Sequence, residues 1–285
     1  MLIKAYYRLT KPGIIYGNIM TAAAGFLLGA HGTIGFIRML AVLTGTALVI
    51  ASACVINNYI DRDIDAKMAR TKKRALVSGQ ISGTHALLYA AVLGAAGMAI
   101  LISLTNTPTV LIGLVGFIDY VLLYTWSKRH TKFSTLIGSI SGATPIAAGY
   151  VAATGTIDTG ALLLFAIMAM WQMPHFYAIS LFRQDDYTAA NIPVLPIVEG
   201  VRRTKIQIAL YVAAFGLAAV TLTLCNVTGY TFLAIMGTLS ALWLWRGVQG
   251  FATTDDKRWA RKMFFLSLVI LLAMSILLSV DTWLP

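Results

Sequence analysis

The sequence has little charge and almost no cysteine. Asp, Glu, Lys and Arg make up 12% of its 285 residues, about half the share in a typical soluble domain. Hydrophobic residues make up 58%, and the mean hydropathy is +0.78. These values exclude an ordinary soluble domain and indicate a protein embedded in lipid. Both cysteines, Cys54 and Cys225, lie in apolar runs with no cysteine or histidine at a useful spacing, which excludes a disulfide framework and a zinc site.

Acidic residues are also few, 11 against 22 Lys and Arg, so the formal net charge is +11. In a soluble protein this excess would suggest binding to nucleic acid. Here the basic residues stand in short connectors between apolar runs and form no continuous basic face. We therefore expect no nucleic-acid partner and interpret the charge as a sign of membrane topology.

Long apolar runs fill most of the chain, and none shows the alternation of a barrel strand. A helix crosses about 30 Å of hydrocarbon with roughly 20 residues, so we predict an all-α bundle of about nine transmembrane helices in a single domain, residues 1–285. The first run follows basic residues as in a signal peptide, but the many later runs predict that it is retained. The predicted spans are 14–30, 39–57, 85–104, 109–126, 135–152, 160–181, 206–225, 229–248 and 263–280.

Lys and Arg are distributed very unequally between the two sides of this predicted bundle. All of them except Arg38 fall before the first span or in the connectors after the second, fourth, sixth and eighth spans. The bias predicts that the N-terminus and the long polar loops are cytoplasmic, which places the C-terminus outside.

The strongest chemical signal follows the second span. Asn57, Asp61 and Asp65 are four residues apart, so on a helix they share one face. Carboxylate and amide oxygens at the membrane surface suit a divalent cation such as Mg²⁺, which keeps part of its shell for phosphate oxygens. The alternative is a solvated helix end whose acids pair with nearby bases.

Basic residues follow these acids at once, among them Arg70 and Arg74. Carboxylates for a metal and cations for phosphate oxygens together suit a metal-bridged diphosphate. Lys128 and Arg129, at the end of the fourth span beside Tyr124, could also bind phosphate or simply anchor the span. Asp185 and Asp186 form a second, weaker acidic cluster after the sixth span.

Six segments of the chain together resemble the intramembrane prenyltransferases of the 4-hydroxybenzoate polyprenyltransferase type. Within that family they resemble the protohaem IX farnesyltransferase (haem O synthase) branch. The resemblance runs from the N-terminus to about residue 200 and is highly specific as a set. One position departs from the wider family, whose second motif usually has a further Asp where this chain has Phe182. The matching segments are Thr10 to Gly13, Asn57 to Leu76, Lys128-Arg129, Gly138 to Gly149, Trp171 to Phe176 and Asp186 to Pro196.

The resemblance implies a bacterial inner-membrane enzyme with a central cavity that opens to the bilayer. The implied reaction transfers a farnesyl group from farnesyl diphosphate to a vinyl group of haem B and yields haem O and diphosphate. Mg²⁺ or another divalent cation would be required, and a haem A synthase or a terminal oxidase is a further candidate partner. The implied catalytic residues are Asn57, Asp61, Asp65, Asp185 and Asp186, with Asn57, Asp61, Asp65 and Asp186 as metal ligands. The implied substrate-binding residues are Lys11, Arg70, Arg74, Tyr124, Lys128, Arg129 and His175.

Two polar residues inside predicted spans leave alternatives open. His175 either ligates the haem iron or bonds a propionate, or it is a structural histidine; Pro174 before it is expected to kink the sixth span. Asp119 in the fourth span is a functional candidate by default, or it pairs with hydroxyl groups of a neighbouring helix.

Two other functions compete with haem farnesylation. A transporter would also have several spans, intramembrane polar groups and a broken helix, but the acids cluster at one membrane face and no clear internal repeat is present. An aromatic prenyltransferase that modifies a quinone precursor would share the diphosphate chemistry, and only the resemblance favours haem over such an acceptor.

Overall fold

The computed structural model describes residues 2–284, and within them the secondary structure is helical with no strand. Nine helices in this range are long and apolar enough to cross a membrane, and each overlaps one predicted run. The predicted all-α, nine-span fold is therefore confirmed, and the chain is a multi-pass membrane protein. The spans are Pro12–Gly29, Phe36–Ile60, Gly83–Leu104, Thr107–His130, Ser134–Thr154, Thr159–Phe182, Gly200–Leu224, Tyr230–Ala252 and Asp256–Trp283.

Four short helices lie in the connecting segments: Leu2–Leu9, Arg62–Lys67, Gln184–Ala189 and Leu195–Val198. They precede the first span or follow the second and sixth spans, where the sequence carries most of its charge. We call this end of the bundle the basic end. Several spans begin with a side-chain cap, as at Ser82, Asn106 and Asp158, whose oxygens accept the backbone N–H three residues later.

The fourth span changes its helical form partway along. It is α-helical over Thr107–Ile118, widens into a π-helix over Asp119–Tyr124 and returns to α-helix over Thr125–His130. The hydroxyl group of Thr125 donates to the carbonyl of Tyr120 (2.8 Å) and so satisfies an acceptor in the wide turn. Tyr120 and Tyr124 lie stacked, with ring centroids 5.3 Å apart. Such wide turns often occur at functional sites.

The first and fifth spans approach each other closely because glycine faces the contact on both sides. A Cβ atom on Gly25 would come within 2.1 Å of the Ile146 carbonyl oxygen, and one on Gly149 within 1.9 Å of the Ala22 carbonyl oxygen. Contacts between small residues take the place of a hydrophobic driving force inside lipid. This close contact holds one wall of the central cavity.

Candidate active site

A cavity of about 470 Å³ lies inside the bundle and reaches the basic end. The first six spans, the ninth span and the loop after the sixth span contribute to its lining. Most of the wall is apolar, as at Val49, Phe117 and Leu271, while Tyr124, Lys128 and Tyr187 stand together at the basic end. A volume of this size, with a few polar groups at one end, is typical of a small-molecule site.

The predicted acidic stripe keeps its helical repeat across the end of the second span. The N–H of Asp61 donates to the carbonyl of Asn57 (2.9 Å), and the N–H of Asp65 donates to that of Asp61 (2.8 Å). The three side chains therefore share a face as the four-residue spacing predicts. All three residues are buried, with Asp61 and Asp65 only 1% exposed.

Asp61 joins the second span to the fourth. Lys128 Nζ lies 2.7 Å from Asp61 Oδ2, and Arg129 Nη2 lies 3.5 Å from Oδ1. Asn57 Nδ2 donates to the same carboxylate (3.1 Å) and to the Thr125 hydroxyl group (3.0 Å). The predicted phosphate-binding cation Lys128 thus sits between the carboxylate and the cavity that it lines.

Asp65 is bonded to a cation from its own loop. Arg74 Nη1 lies 2.5 Å from Asp65 Oδ2 and 3.0 Å from Asn58 Oδ1. Asn58 Nδ2 in turn donates to the carbonyl of Leu9 (2.7 Å), which ties the N-terminal helix to the site. Both predicted acids of the first motif therefore face a predicted phosphate-binding cation.

Arg129 makes its main contact with an acid that the sequence analysis did not assign. Its guanidinium group forms two hydrogen bonds to Asp63, at 2.7 and 2.8 Å, and a third to the carbonyl of Ile60 (2.7 Å). The hydrogen bonds from Arg129 lower the pKa of Asp63 to about 2. Asp63 is therefore charged, and its carboxylate holds Arg129 beside Asp61.

Lys11 reaches the same site from the start of the first span. Its Nζ donates to Asn57 Oδ1 (2.6 Å) and lies 3.5 Å from the Tyr120 hydroxyl group. Its backbone is left-handed, with φ of 52°. Burial lowers the pKa of Lys11 to about 8. The structure thus brings Lys11, Arg74, Lys128 and Arg129 around the acidic stripe, as the sequence predicts.

Arg70, like Lys11 and unlike Arg74, Lys128 and Arg129, has no acidic partner within residues 2–284. It lies near Tyr187, which turns from the loop after the sixth span into the cavity. Burial raises the pKa of Tyr187, while the nearby charges of Lys128 and Arg70 oppose that shift. Tyr120 and Tyr187 were not assigned from sequence, since only the folded chain shows which tyrosines face the cations.

The second acidic cluster is held much less tightly. The carboxylate of Asp185 is 84% exposed and pairs with Lys257 at 2.7 Å. The side chain of Asp186 is 15% exposed and lies 4.0 Å from Arg183. Of the two acids, Asp186 is the one that the fold shelters. The catalytic role expected for Asp185 and Asp186 stays a prediction.

An apolar contact closes the basic end over the cavity. Ile64 and Met68, after the second span, pack against Ala190, Ile192 and Val194, after the sixth span. Ile192 and Val194 also line the cavity. The two acidic loops therefore pack together and cover part of the polar end.

His175 lies in the cavity wall among aromatic rings. Its ring stacks on Trp171 (4.7 Å between centroids) and lies 4.9 Å from Phe264. Ser267 Oγ is 2.7 Å from His175 Nδ1 and donates its own hydrogen to the carbonyl of Phe264 (2.6 Å). Nδ1 must therefore carry the donated hydrogen, which leaves the lone pair on Nε2. Among the described residues, no group bonds to that Nε2.

Asp119 begins the π-helix of the fourth span and is 2% exposed. Its Oδ2 accepts the backbone N–H of Ser141 (3.0 Å), and its Oδ1 has no partner in the described part of the chain. Ser141 on the fifth span also has a side-chain hydrogen bond with this carboxylate, so the expected pairing with a neighbouring helix is present, while a functional role for Asp119 stays a prediction. The contact ties the fourth span to the fifth.

The acidic stripe offers oxygen ligands but no closed metal cage. Within residues 2–284, no group of three or more His, Cys, Asp or Glu side chains is arranged to hold an ion. Two buried carboxylates and an amide oxygen do suit Mg²⁺, which takes a few carboxylates and completes its shell with phosphate and water. The donor set therefore fits such an ion once its cationic partners move.

Comparisons with known proteins agree with this architecture. Residues 18–269 match the UbiA prenyltransferase family. The protoheme IX farnesyltransferase of Citrobacter koseri is 48% identical over 100% of this chain and 97% of its own length. That of Yersinia pestis is 48% identical over 99% of this chain and 95% of its own.

Solved structures share the fold at low sequence identity. A digeranylgeranylglyceryl phosphate synthase superposes with a TM-score of 0.82 at 18% identity and covers 99% of this chain and 98% of its own. A UbiA homologue from Archaeoglobus fulgidus, bound to GPP and Mg²⁺, gives 0.74 at 16% identity and covers 96% and 99%. The nine-helix bundle, the sequence match and the close relatives all agree. The chain belongs to the UbiA prenyltransferase family.

Proposed function

We propose that the protein transfers a farnesyl group from farnesyl diphosphate to a vinyl group of haem B and so forms haem O. One observation carries the proposal: a largely apolar cavity ends at Lys128, which bonds a buried carboxylate of the acidic stripe. This arrangement has a place for a diphosphate at one end and for two apolar molecules in the remainder. The full-length relatives that are 48% identical are protoheme IX farnesyltransferases, which supports farnesyl and haem as the substrates.

The diphosphate binds at the basic end, where cations outnumber acids. Five cations surround the stripe and three acids face them: Lys11, Arg70, Arg74, Lys128 and Arg129 against Asp61, Asp63 and Asp65. A surplus of positive charge in a sheltered site favours a polyanion. Lys128 reaches the cavity directly, while Arg70 has no acidic partner to leave within residues 2–284. These two are the first contacts that we assign to the diphosphate oxygens.

Asn57, Asp61 and Asp65 would hold a divalent cation, and Asp186 would contribute a further ligand from the second loop. The Archaeoglobus fulgidus homologue of the same fold binds GPP together with Mg²⁺, which supports this assignment. When bound, the ion neutralises the charge that develops on the leaving diphosphate. Lys128 and Arg74 then exchange their carboxylate partners for phosphate oxygens.

Ionisation of the allylic diphosphate leaves a carbocation that water would quench. The apolar cover of Ile64, Met68, Ala190, Ile192 and Val194 keeps water out. Tyr124 and Tyr187 line the polar end and Tyr120 stacks on Tyr124, so electron-rich rings face the cation. The new carbon–carbon bond joins C1 of the farnesyl group to the terminal vinyl carbon. Water then adds its oxygen to the inner vinyl carbon and releases a proton, which gives the hydroxyethylfarnesyl group.

His175 is the candidate haem ligand in the cavity wall. Its hydrogen bond to Ser267 fixes the neutral tautomer with the lone pair on Nε2, and a neutral imidazole nitrogen is a common axial ligand for haem iron. The stacked Trp171 and the adjacent Phe264 fix the orientation of the ring. Bonding to a propionate is the alternative role for the same nitrogen.

The proposal also assigns a cellular setting. The bacterial relatives support an inner-membrane location. The unequal distribution of Lys and Arg supports an orientation with the N-terminus and the basic end in the cytoplasm and the C-terminus outside. The product would pass to a haem A synthase or to a terminal oxidase. We treat residues 1–285 as one catalytic domain.

The test uses the purified chain in lipid nanodiscs with Mg²⁺, farnesyl diphosphate and haem B. We expect release of diphosphate and a haem product whose mass has increased by one farnesyl group and one hydroxyl group. Prenylation of a quinone precursor with unaltered haem B would replace the proposal with an aromatic prenyltransferase. No diphosphate release with any acceptor would favour a transporter. Full turnover after removal of all divalent ions would overturn the metal assignment alone.

A further inference from the structure

Two arginines at the basic end lie on one aromatic ring that leads back to His175. The Arg183 guanidinium carbon is 5.6 Å from the centre of the Phe182 ring, and that of Arg261 is 5.9 Å from it. Arg183 belongs to the loop after the sixth span and Arg261 to the start of the ninth. Two separate segments therefore place positive charge at the same ring.

The Phe182 ring continues a row of aromatic contacts. Phe182 lies edge-on against Phe264 (5.7 Å), Phe264 lies 4.9 Å from His175, and His175 stacks on Trp171 (4.7 Å). Trp171 and His175 line the cavity. The row thus runs from the cavity wall to the two guanidinium groups at the basic end.

The two arginines have little else to bind. Arg183 has one acidic neighbour, Asp186, at the long distance of 4.0 Å. Arg261 has no acidic partner within residues 2–284, although Lys257 on the same helix is paired with Asp185. A guanidinium group bound to an aromatic face and free of a carboxylate is ready to bind an anion bidentately.

From these contacts we propose that Arg183 and Arg261 bind the two propionate groups of haem B. This inference rests on the proposed function, since it concerns the orientation of that substrate. Haem B is a flat apolar macrocycle with two carboxylates at one edge, and the row connects Trp171 and His175 in the cavity wall to two cations at the basic end. Arg183 lies eight residues after His175, a rise of about 12 Å along a helix. A haem bound at these arginines has its propionate edge against the sixth and ninth spans, which leaves its vinyl edge to face Lys128 on the fourth span, where C1 of the farnesyl group lies.

The test compares haem B with its dimethyl ester, in which the propionates carry no charge. The full chain in nanodiscs is titrated with each ligand by absorption spectroscopy. In the double variant Arg183→Gln/Arg261→Gln we expect haem B to bind about tenfold more weakly, since partly exposed ion pairs each contribute modestly. The affinity for the dimethyl ester and the KM for farnesyl diphosphate should stay as in the unchanged chain.

Three further variants keep the test specific. Arg183→Lys/Arg261→Lys should recover most of the affinity for haem B, because it keeps both charges. Arg261→Gln alone should show about a threefold selective loss without disturbing Asp186. Arg258→Gln is the matched control, because it removes the same charge one turn earlier on the ninth span, and it should change neither ligand.

An equal loss of affinity for haem B and for its dimethyl ester in the double variant, or no loss of affinity for either ligand, would overturn the propionate assignment. A loss that appears only with anionic lipid would assign the arginines to lipid headgroups instead and overturn it as well. If the unchanged chain forms haem O but the double variant shows the same ratio of affinities for haem B and its dimethyl ester as the unchanged chain, only this inference fails. If the double variant loses affinity for haem B but not for the dimethyl ester, and the unchanged chain nevertheless forms no haem O, only the proposed function fails.

Discussion

The two acidic loops at the basic end differ in how their carboxylates are held. Asp61 and Asp65, after the second span, are 1% exposed and bonded to Lys128 and Arg74. Asp185, after the sixth span, is 84% exposed and pairs with Lys257 at the surface. A buried carboxylate must be paired or neutralised, whereas an exposed ion pair contributes little. On the proposed function, this difference predicts that the first loop binds most of the diphosphate and that the second loop mainly covers it.

The largest expected effect is on the buried acids. Asp61→Ala or Asp65→Ala should lower turnover by about a thousandfold or more, because each removes a metal ligand beside the leaving group. The folded bundle should remain in the membrane, since most of its contacts lie elsewhere. Steady-state release of diphosphate and size-exclusion chromatography check the two statements. Near-normal turnover in both variants would leave the first loop without its proposed function.

A second prediction concerns the pairing of Asp61 with Lys128. Lys128→Met removes the shortest ion pair of the buried Asp61 carboxylate and leaves Arg129, at 3.5 Å, as its remaining salt-bridge partner. The protein without metal should therefore unfold at a clearly lower temperature. Adding Asp61→Asn to that variant should restore much of the loss. Thermal unfolding in detergent, with chelator present, measures the cycle. Independent, additive effects of the two changes would show that the pair is not coupled.

Much of this fold could be predicted from sequence, because hydropathy is a local property. The nine apolar runs become nine spans, and each observed helix extends past at least one of its predicted ends. The face shared by Asn57, Asp61 and Asp65 also follows from spacing alone. The π-helix of the fourth span could not be predicted, since it depends on contacts such as the one between Asp119 and Ser141.

The pairing of side chains inside the site could not be predicted from the sequence, because it depends on contacts between distant segments. Spacing cannot show that Lys128 pairs with Asp61 while Arg129 prefers Asp63, because these residues meet only when the second and fourth spans pack. Phe182 is a similar case. It departs from the family motif in sequence, and only the structure shows two arginines on its ring.

The smallest effects should separate the two acids of the second loop. Asp186→Asn should lower turnover by about ten- to a hundredfold, since this sheltered carboxylate is the one assigned to the metal. Asp185→Asn should cost less than about threefold, because its carboxylate faces solvent and Lys257. Lys257→Gln is the matched control and should behave like Asp185→Asn if their exposed pair is all that the two residues share. Equal large losses for Asp185→Asn and Asp186→Asn, with Lys257→Gln unaffected, would mean that the loop turns Asp185 inward when diphosphate binds. In that case both loops would contribute similarly to diphosphate binding, and the difference in the burial of their carboxylates would apply only before diphosphate binds.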